Sequence, residues 1–280
     1  REEFGKPLAI ENDARMACIG EWRSGAGRGC DNMGMITLGT GLGVSAGDFV
    51  VACLCDFCVA NATANQLYRN NGNGTFTDIT AKAGLTGGIY DGNKKMWSVA
   101  AAWVDYNRDG LLDLFVSNYC KWEVNKDPVC VSGKNSERGY CDPRRYEPLP
   151  NQLYRNNGNG TFTDVSTETG IGKHLGKGMG VAIADYDGDG WIDIFVANDN
   201  SPNFLFHSLA GKRFEQVALD AGVAFTDQGM AVSGMGADFR DVNNDGFPDL
   251  WHTAIENETF PIYINNGKGV FTDKSDEWKL

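Results

Sequence analysis

Asp185-Tyr186-Asp187-Gly188-Asp189-Gly190-Trp191-Ile192-Asp193 runs directly into Ile194-Phe195-Val196-Ala197-Asn198. The first nine residues set carboxylates at alternate positions, with glycine where the chain must turn sharply. Oxygen donors in that pattern on one short loop are what a hard cation such as Ca²⁺ needs. The pattern occurs twice more, as Asp105-Tyr106-Asn107-Arg108-Asp109-Gly110-Leu111-Leu112-Asp113 and Asp241-Val242-Asn243-Asn244-Asp245-Gly246-Phe247-Pro248-Asp249. The flanks decide which kind of loop this is. Leu114-Phe115-Val116-Ser117-Asn118 and Leu250-Trp251-His252-Thr253-Ala254 follow the other two boxes. Val99 to Val104, Val181 to Ala184 and Met235 to Ala237 precede the three boxes. These short apolar, β-branched and aromatic runs predict strands, so each box is the turn of a β-hairpin. The alternative, an EF-hand or dockerin-like loop, requires a helical period on at least one flank.

A second repeat is interleaved with the first. Asn65-Gln66-Leu67-Tyr68-Arg69-Asn70-Asn71-Gly72-Asn73-Gly74-Thr75-Phe76-Thr77-Asp78 recurs letter for letter from Asn151 to Asp164, with weaker copies at Asn203 to Glu215 and Pro261 to Asp273. Asn-Gly-Asn-Gly between strand-like runs marks a hairpin, because Asn and Gly tolerate positive φ. Each unit is therefore two hairpins, and repeated four-stranded units predict a β-propeller.

These repeats resemble the FG-GAP/VCBS repeats of integrin-α-like propellers, of the cartilage acidic protein and ASPIC/UnbV-associated type, over about residues 48–280. The resemblance implies an extracellular or periplasmic protein with Ca²⁺ on the outer edges of its blades. It also implies a further C-terminal domain in many relatives, whereas this chain ends at Leu280. The expected cofactor is Ca²⁺ at three sites. The ligands would be Asp105, Asn107, Asp109 and Asp113; Asp185, Asp187, Asp189 and Asp193; and Asp241, Asn243, Asp245 and Asp249. The carbonyls of Leu111, Trp191 and Phe247 would each add an oxygen. In the first repeat Asp48 and Asp56 keep the outer acidic positions, but Val50, Ala52 and Cys53 replace the middle oxygens and the glycine. That box is expected to bind no calcium. Zinc held by Cys53, Cys55 and Cys58 is the alternative, although no second cysteine pair completes four ligands.

The first 45 residues read differently. Pro7 to Arg15, Gly20-Glu21-Trp22, Gly25 to Gly29 and Met35 to Gly43 resemble the middle of a ROK-family sugar kinase. By that resemblance Asp13 is the base that takes the sugar hydroxyl proton and Asn12 contacts the sugar. Gly39, Thr40, Gly41 and Gly43 would border the nucleotide phosphates, where bare backbone N–H groups can approach. The segment lacks that family's earlier ATP-binding part and its zinc-binding His and Cys-rich motif. About forty residues cannot bury a two-lobed kinase core. Asp13 is therefore expected to be silent. A helix start and a strand-ending turn account for the same residues.

The expected fold class is all-β, a partial propeller of about four four-stranded blades with a short α/β N-terminal fragment. The expected division is 1–45 kinase-like and 46–280 propeller, with an insertion at 119–150 placed between blades. The net charge of −12 gives no reason to bind nucleic acid or an anionic membrane. No apolar run is long enough to span a bilayer. No signal peptide is visible, and a start at Arg1 leads us to expect that the natural N-terminus is missing. Cys130 and Cys141 in the insertion are the preferred disulfide pair, since a loop of that size closes readily; Cys120 is left over. Such staples belong to oxidising compartments, whereas ROK kinases are cytosolic. A fusion or misjoined frame near Val44 to Cys58 would reconcile the two halves.

The remaining candidates read as structural. His174, His207 and His252 lie in different repeats without metal spacing. Trp103, Trp191 and Trp251 lie near the boxes and read as blade packing. Asn73-Gly74-Thr75 and Asn159-Gly160-Thr161 match the glycosylation sequon, but a hairpin turn explains them better. Gly176 to Gly180 lacks Walker spacing and reads as a strand entry. No nucleophile–base pair stands out in the propeller. The expected function is calcium-dependent structural or interaction display toward a protein or glycan. The alternatives are a hexose kinase present only as a fragment, and a loop face that is catalytic or binds glycans.

Overall fold

The structure is a computed structural model that describes residues 57–279, apart from 61–63, 72, 74, 133–136 and 140. The positions proposed for kinase chemistry (Asn12, Asp13, Gly39, Thr40, Gly41, Gly43) and the decayed box (Asp48 to Asp56) lie outside the described residues. So does the boundary at residue 45.

Four antiparallel meanders follow one another. The first blade contributes β1 (Phe57–Val59), β2 (Gln66–Asn70) and β3 (Phe76–Asp78). The second has β4 (Ser98–Val104), β5 (Asp113–Asn118), β6 (Gln152–Asn156) and β7 (Phe162–Asp164). The third has β8 (Gly178–Ala184), β9 (Asp193–Asn198), β10 (Phe204–Leu209) and β11 (Arg213–Gln216). The fourth has β12 (Ala237–Arg240), β13 (Asp249–His252), β14 (Ile262–Asn265) and β15 (Phe271–Asp273). Within each of the last three sheets the spatial order equals the chain order. Strand β8 packs between β4 and β12, so the first strands of successive blades lie side by side. The described residues form an all-β, propeller-like architecture.

The blades are joined by side chains that alternate along the second strand. In β9, Ile194 and Val196 pack into a core with Val104, Phe115 and Leu153 of the preceding blade. Phe195 and Ala197 point the other way, into a core with Phe239, Leu250 and Tyr263 of the next blade. In β5, Leu114 and Val116 join Leu67, Ile79 and Leu85 of the first blade. A strand apolar on both faces reads in sequence as a continuous run rather than an alternation. At roughly 1.5–3 kcal/mol per buried aliphatic or Phe side chain, these inter-blade cores are the main source of cohesion. Close backbone approach sets the glycines of β8. A Cβ at Gly180 would lie 1.9 Å from the Met235 carbonyl oxygen.

The insertion is not between blades. Residues 119–150 lie between β5 and β6, inside the second blade, joining its two hairpins. The sequence misplaces it because Asn151 to Asp164 looks like the opening of a new unit, whereas it is the second half of one. The insertion carries two short paired strands, Cys130–Ser132 and Glu137–Gly139, with Cys130 disulfide-bonded to Cys141. Cys120 is free and buried, and burial pushes its thiol up to about 12. Among the described residues no helix is long and apolar enough to cross a membrane.

Candidate metal centres

All three boxes are hairpin loops, and their ninth residue opens the returning strand. The flanking pairs are Val104 with Asp113, Ala184 with Asp193, and Arg240 with Asp249. The loops share one backbone path. Their sixth residues, Gly110, Gly190 and Gly246, have φ of 82°, 90° and 94°. Their fourth residues, Arg108, Gly188 and Asn244, also have positive φ, at 60°, 76° and 62°. Sequence reasoning assigned a special conformation only to the sixth position. Gly and Asn at the fourth were the available signal.

Two left-handed residues curl the loop around its first carboxylate. Asp105 Oδ2 accepts from Gly110 N–H (3.0 Å), Asp185 Oδ2 from Gly190 N–H (2.9 Å) and Asp241 Oδ2 from Gly246 N–H (3.0 Å). The third residues, Asn107, Asp187 and Asn243, accept from the fifth residue's N–H at 2.9–3.1 Å. The fifth, Asp109, Asp189 and Asp245, accept from the N–H of Leu111, Trp191 and Phe247 at 2.8–2.9 Å. The seventh-position side chains lean onto the glycine of the blade's second turn. A Cβ at Gly158, Gly211 or Gly267 would meet Leu111, Trp191 or Phe247 at 3.3, 2.4 or 2.6 Å. Arg108 of the first box stacks on Trp191 of the second, 4.6 Å from the ring centre, so neighbouring loops touch.

The ninth residues are the most buried. Asp113, Asp193 and Asp249 are fully inaccessible. Each accepts through Oδ1 from the third strand: Asn156 N–H at 2.7 Å, Ser208 N–H at 2.7 Å and Asn265 N–H at 2.8 Å. One carboxylate thus ties the two hairpins of a blade together. Burial pushes Asp113 up to about 7 and Asp193 up to about 8, with nearby acids adding to the effect. Burial also raises Asp185. Burial among like charges favours the neutral form of these carboxyls, and a bound cation would favour the charged form instead.

Two buried carboxylate oxygens, Asp113 Oδ2 and Asp185 Oδ1, have no hydrogen-bond partner. In the second box the carboxylates of Asp185, Asp187 and Asp193 have oxygens within 4.8 Å of one another. Convergent, partly unpartnered oxygen donors fit a hard divalent ion. His207 on β10 stands against this box, with Nδ1 3.4 Å from Asp187 Oδ2 and 3.2 Å from Asp193 Oδ1. Sequence spacing missed it, because strand pairing rather than the loop brings it there.

The other singled-out residues are structural. Asn73 and Asn159 accept from the Thr75 and Thr161 N–H groups at 3.1 and 3.0 Å, as turn residues do. Trp103 packs on Phe162, while Trp191 belongs to a loop, so the tryptophans are not equivalent. His174 lies against Phe206 and His252 is buried against Phe195. Asn118 and Asn198 end the second strands of their blades, at the end opposite the boxes. Their N–H groups donate to Asn151 Oδ1 and Asn203 Oδ1, both at 3.0 Å.

Comparison with known proteins agrees with this arrangement. The FG-GAP-like repeat matches residues 53–116, 144–196 and 185–252. Cartilage acidic protein 1 of Mus musculus is 27% identical over 240 residues, covering 83% of this chain and 32% of its own length. The Homo sapiens protein is 30% identical over 151 residues, covering 54% of this chain and 20% of its own. The chain spans about a third or less of these curated relatives. A glucokinase of Halalkalibacterium halodurans is 52% identical over 42 residues, which is 15% of this chain and 13% of that protein. A solved structure described as a gluconolactonase is 14% identical with a TM-score of 0.39, over 79% of this chain and 59% of its own. The repeat spans more than half of the chain and takes in all three boxes, and the chain belongs to the FG-GAP-like repeat family.

Proposed function

We propose that residues 46–280 form a calcium-binding propeller module that works outside the cytosol, displaying a rigid surface to a protein or glycan partner. The observation that carries this reading is the second box. Three carboxylates converge there, and one of their buried oxygens has no partner. The other boxes repeat its backbone path and its hydrogen bonds. Ca²⁺ would be held by positions one, three, five and nine of each box, with the seventh carbonyl as a further donor. The ion would offset the buried charge of Asp113, Asp193 and Asp249 and clamp each loop to the third strand. The Cys130–Cys141 bridge supports an oxidising compartment. The insertion in the second blade is the most distinctive surface for a partner. Calcium calorimetry tests the reading. Three equivalents are expected, with dissociation constants of roughly 10⁻⁴–10⁻³ M. No heat of binding would refute it.

A kinase reading of residues 1–45 is favoured by one observation, the short and high identity to glucokinase. The segment carries a base and one phosphate turn, and phosphoryl transfer needs in addition a nucleotide held in line with the base. Its inclusion as a fusion or misjoined frame is our reading. Sugar-dependent ATP turnover that vanishes in Asp13→Ala would reverse it.

A further inference from the structure

We propose that the cleft at the foot of the 119–150 insertion is a saccharide-binding site, taking a terminal or short uncharged sugar against Tyr90, Trp122 and Tyr146. The proposal rests on the reading of this chain as a display module, and it narrows the partner from protein or glycan to glycan.

The cleft has a volume of about 270 Å³. It lies at the blade end opposite the boxes, where Ser98 pairs with Asn118. One wall is the short hairpin of Ile89–Tyr90 and Lys94–Lys95. The other is built by both arms of the insertion, within 121–128 and 145–147. The three aromatic side chains that line it have their polar ends engaged elsewhere. Asp127 Oδ1 accepts from Trp122 Nε1–H at 3.1 Å and from Tyr146 O–H at 2.8 Å. Tyr90 O–H donates to the Trp122 carbonyl oxygen at 3.2 Å. Trp97 packs on Trp122 with ring centres 5.5 Å apart, and Tyr119 meets Trp97 edge-on at 5.3 Å. What the rings offer the cleft is therefore carbon surface in a fixed orientation, and a wall already ordered lowers the entropy cost of binding.

Ion pairs cross the cleft and neutralise most of its charge. Lys121 Nζ stands 2.8 Å from Glu147 Oε2 and 3.7 Å from Asp91 Oδ2. Glu123 Oε1 takes Lys94 Nζ at 2.6 Å and Lys126 Nζ at 3.2 Å. Arg145 lines the cleft, is exposed, and has no ion pair among the described residues. With Arg145 counted against Asp127, the cations and carboxylates around the cleft balance. An ion of either sign entering here would have to displace an existing pair and be desolvated. A quaternary ammonium, a common guest of aromatic cages, would meet Lys94 and Lys121 already beside the Tyr90 ring, 5.9 and 5.8 Å from its centre. An uncharged ligand with an apolar face and a rim of hydroxyls meets neither obstacle. A pyranose has both, with C–H groups for the rings, hydroxyl donors for the carboxylates and oxygen acceptors for the Arg145 fork. A volume slightly below the roughly 300–1,000 Å³ of drug-sized ligand sites fits a terminal or short sugar rather than a long chain.

The test applies the full chain, in calcium-containing buffer, to an array of uncharged and acidic oligosaccharides. The uncharged oligosaccharide bound best is then titrated against the tryptophan fluorescence of the protein. Binding to uncharged glycans with a change in that fluorescence is expected. Trp122→Ala should weaken it about ten-fold or more and Arg145→Ala about ten-fold. Because Arg145 is exposed, its replacement keeps the test valid should Trp122→Ala fail to fold. Arg144→Ala, whose side chain pairs with Asp142 instead, should bind as the unaltered chain does. A blank array, binding to acidic glycans alone, or undiminished affinity in Arg145→Ala would overturn the assignment. The cleft shares no residue with the boxes, so calcium calorimetry reports separately. Calcium heats with a blank array refute the glycan site alone, and glycan binding without calcium heats refutes the calcium reading alone.

Discussion

The indole of Trp191 lies over Gly211. A Cβ on that glycine would stand 2.4 Å from Trp191 Cζ3, and Gly211 has a φ of 67°. The seventh residue of the metal loop is thus seated on the turn of the second hairpin, and this fixes how the two hairpins of the third blade meet.

Gly211→Ala is expected to destabilise the chain by about 1–3 kcal/mol through overpacking and a disfavoured backbone angle. Removing the ring should recover part of that loss. Urea unfolding of Gly211→Ala, Trp191→Ala and the double variant measures it, and strictly additive effects would mean that the two residues do not couple.

Calcium should stabilise the propeller by about 1–3 kcal/mol per site when the ion is in ten- to hundred-fold excess over the dissociation constant. Asp187→Ala should cost that amount for one site in calcium and little after chelation. Equal melting temperatures for the unaltered chain with calcium and with chelator would show that the boxes do not contribute in this way.

His252 is buried between Phe195 and Tyr263, with Nε2 3.2 Å from Asn203 Nδ2 and Nδ1 3.2 Å from the Thr253 carbonyl oxygen. These partners suit the neutral ring with its proton on Nδ1. Burial pulls its pKa down to about 4 from an ordinary 6.5. Below pH 6.5 the unfolded chain takes up a proton that the folded chain refuses. The stabilising contribution is therefore complete above 6.5 and is lost progressively as pH falls to 4, by roughly 3 kcal/mol in all. The stability difference between the unaltered chain and His252→Gln should shrink by that amount between pH 7 and pH 4. A constant difference would exclude this origin.

The Cys130–Cys141 bridge closes a segment with a sequence separation of 11. A loop of that size is worth about 2–3 kcal/mol of unfolded-state entropy. The insertion does not build the inter-blade cores, so reduction should speed amide exchange within 119–150 and leave β9 and β13 protected. Exchange rising equally in those strands would show that the staple supports the whole blade.

The oxygen ladder of each box, its hairpin context and the four-stranded period were legible in the amino-acid order alone. Each depends on residues within about ten positions, and turn geometry and side-chain periodicity are local properties. The two-faced burial of β5 and β9 was legible as well, because a strand packed on both sides must be apolar throughout. The placement of 119–150 inside a blade was not legible, since a repeat read from one hairpin does not say which hairpin closes the sheet. Nor were the pairing of Trp191 with Gly211 and the approach of His207 to Asp187 and Asp193. Those contacts are set by strand register and by blade-on-blade packing, which bring together atoms whose separation along the chain carries no signal.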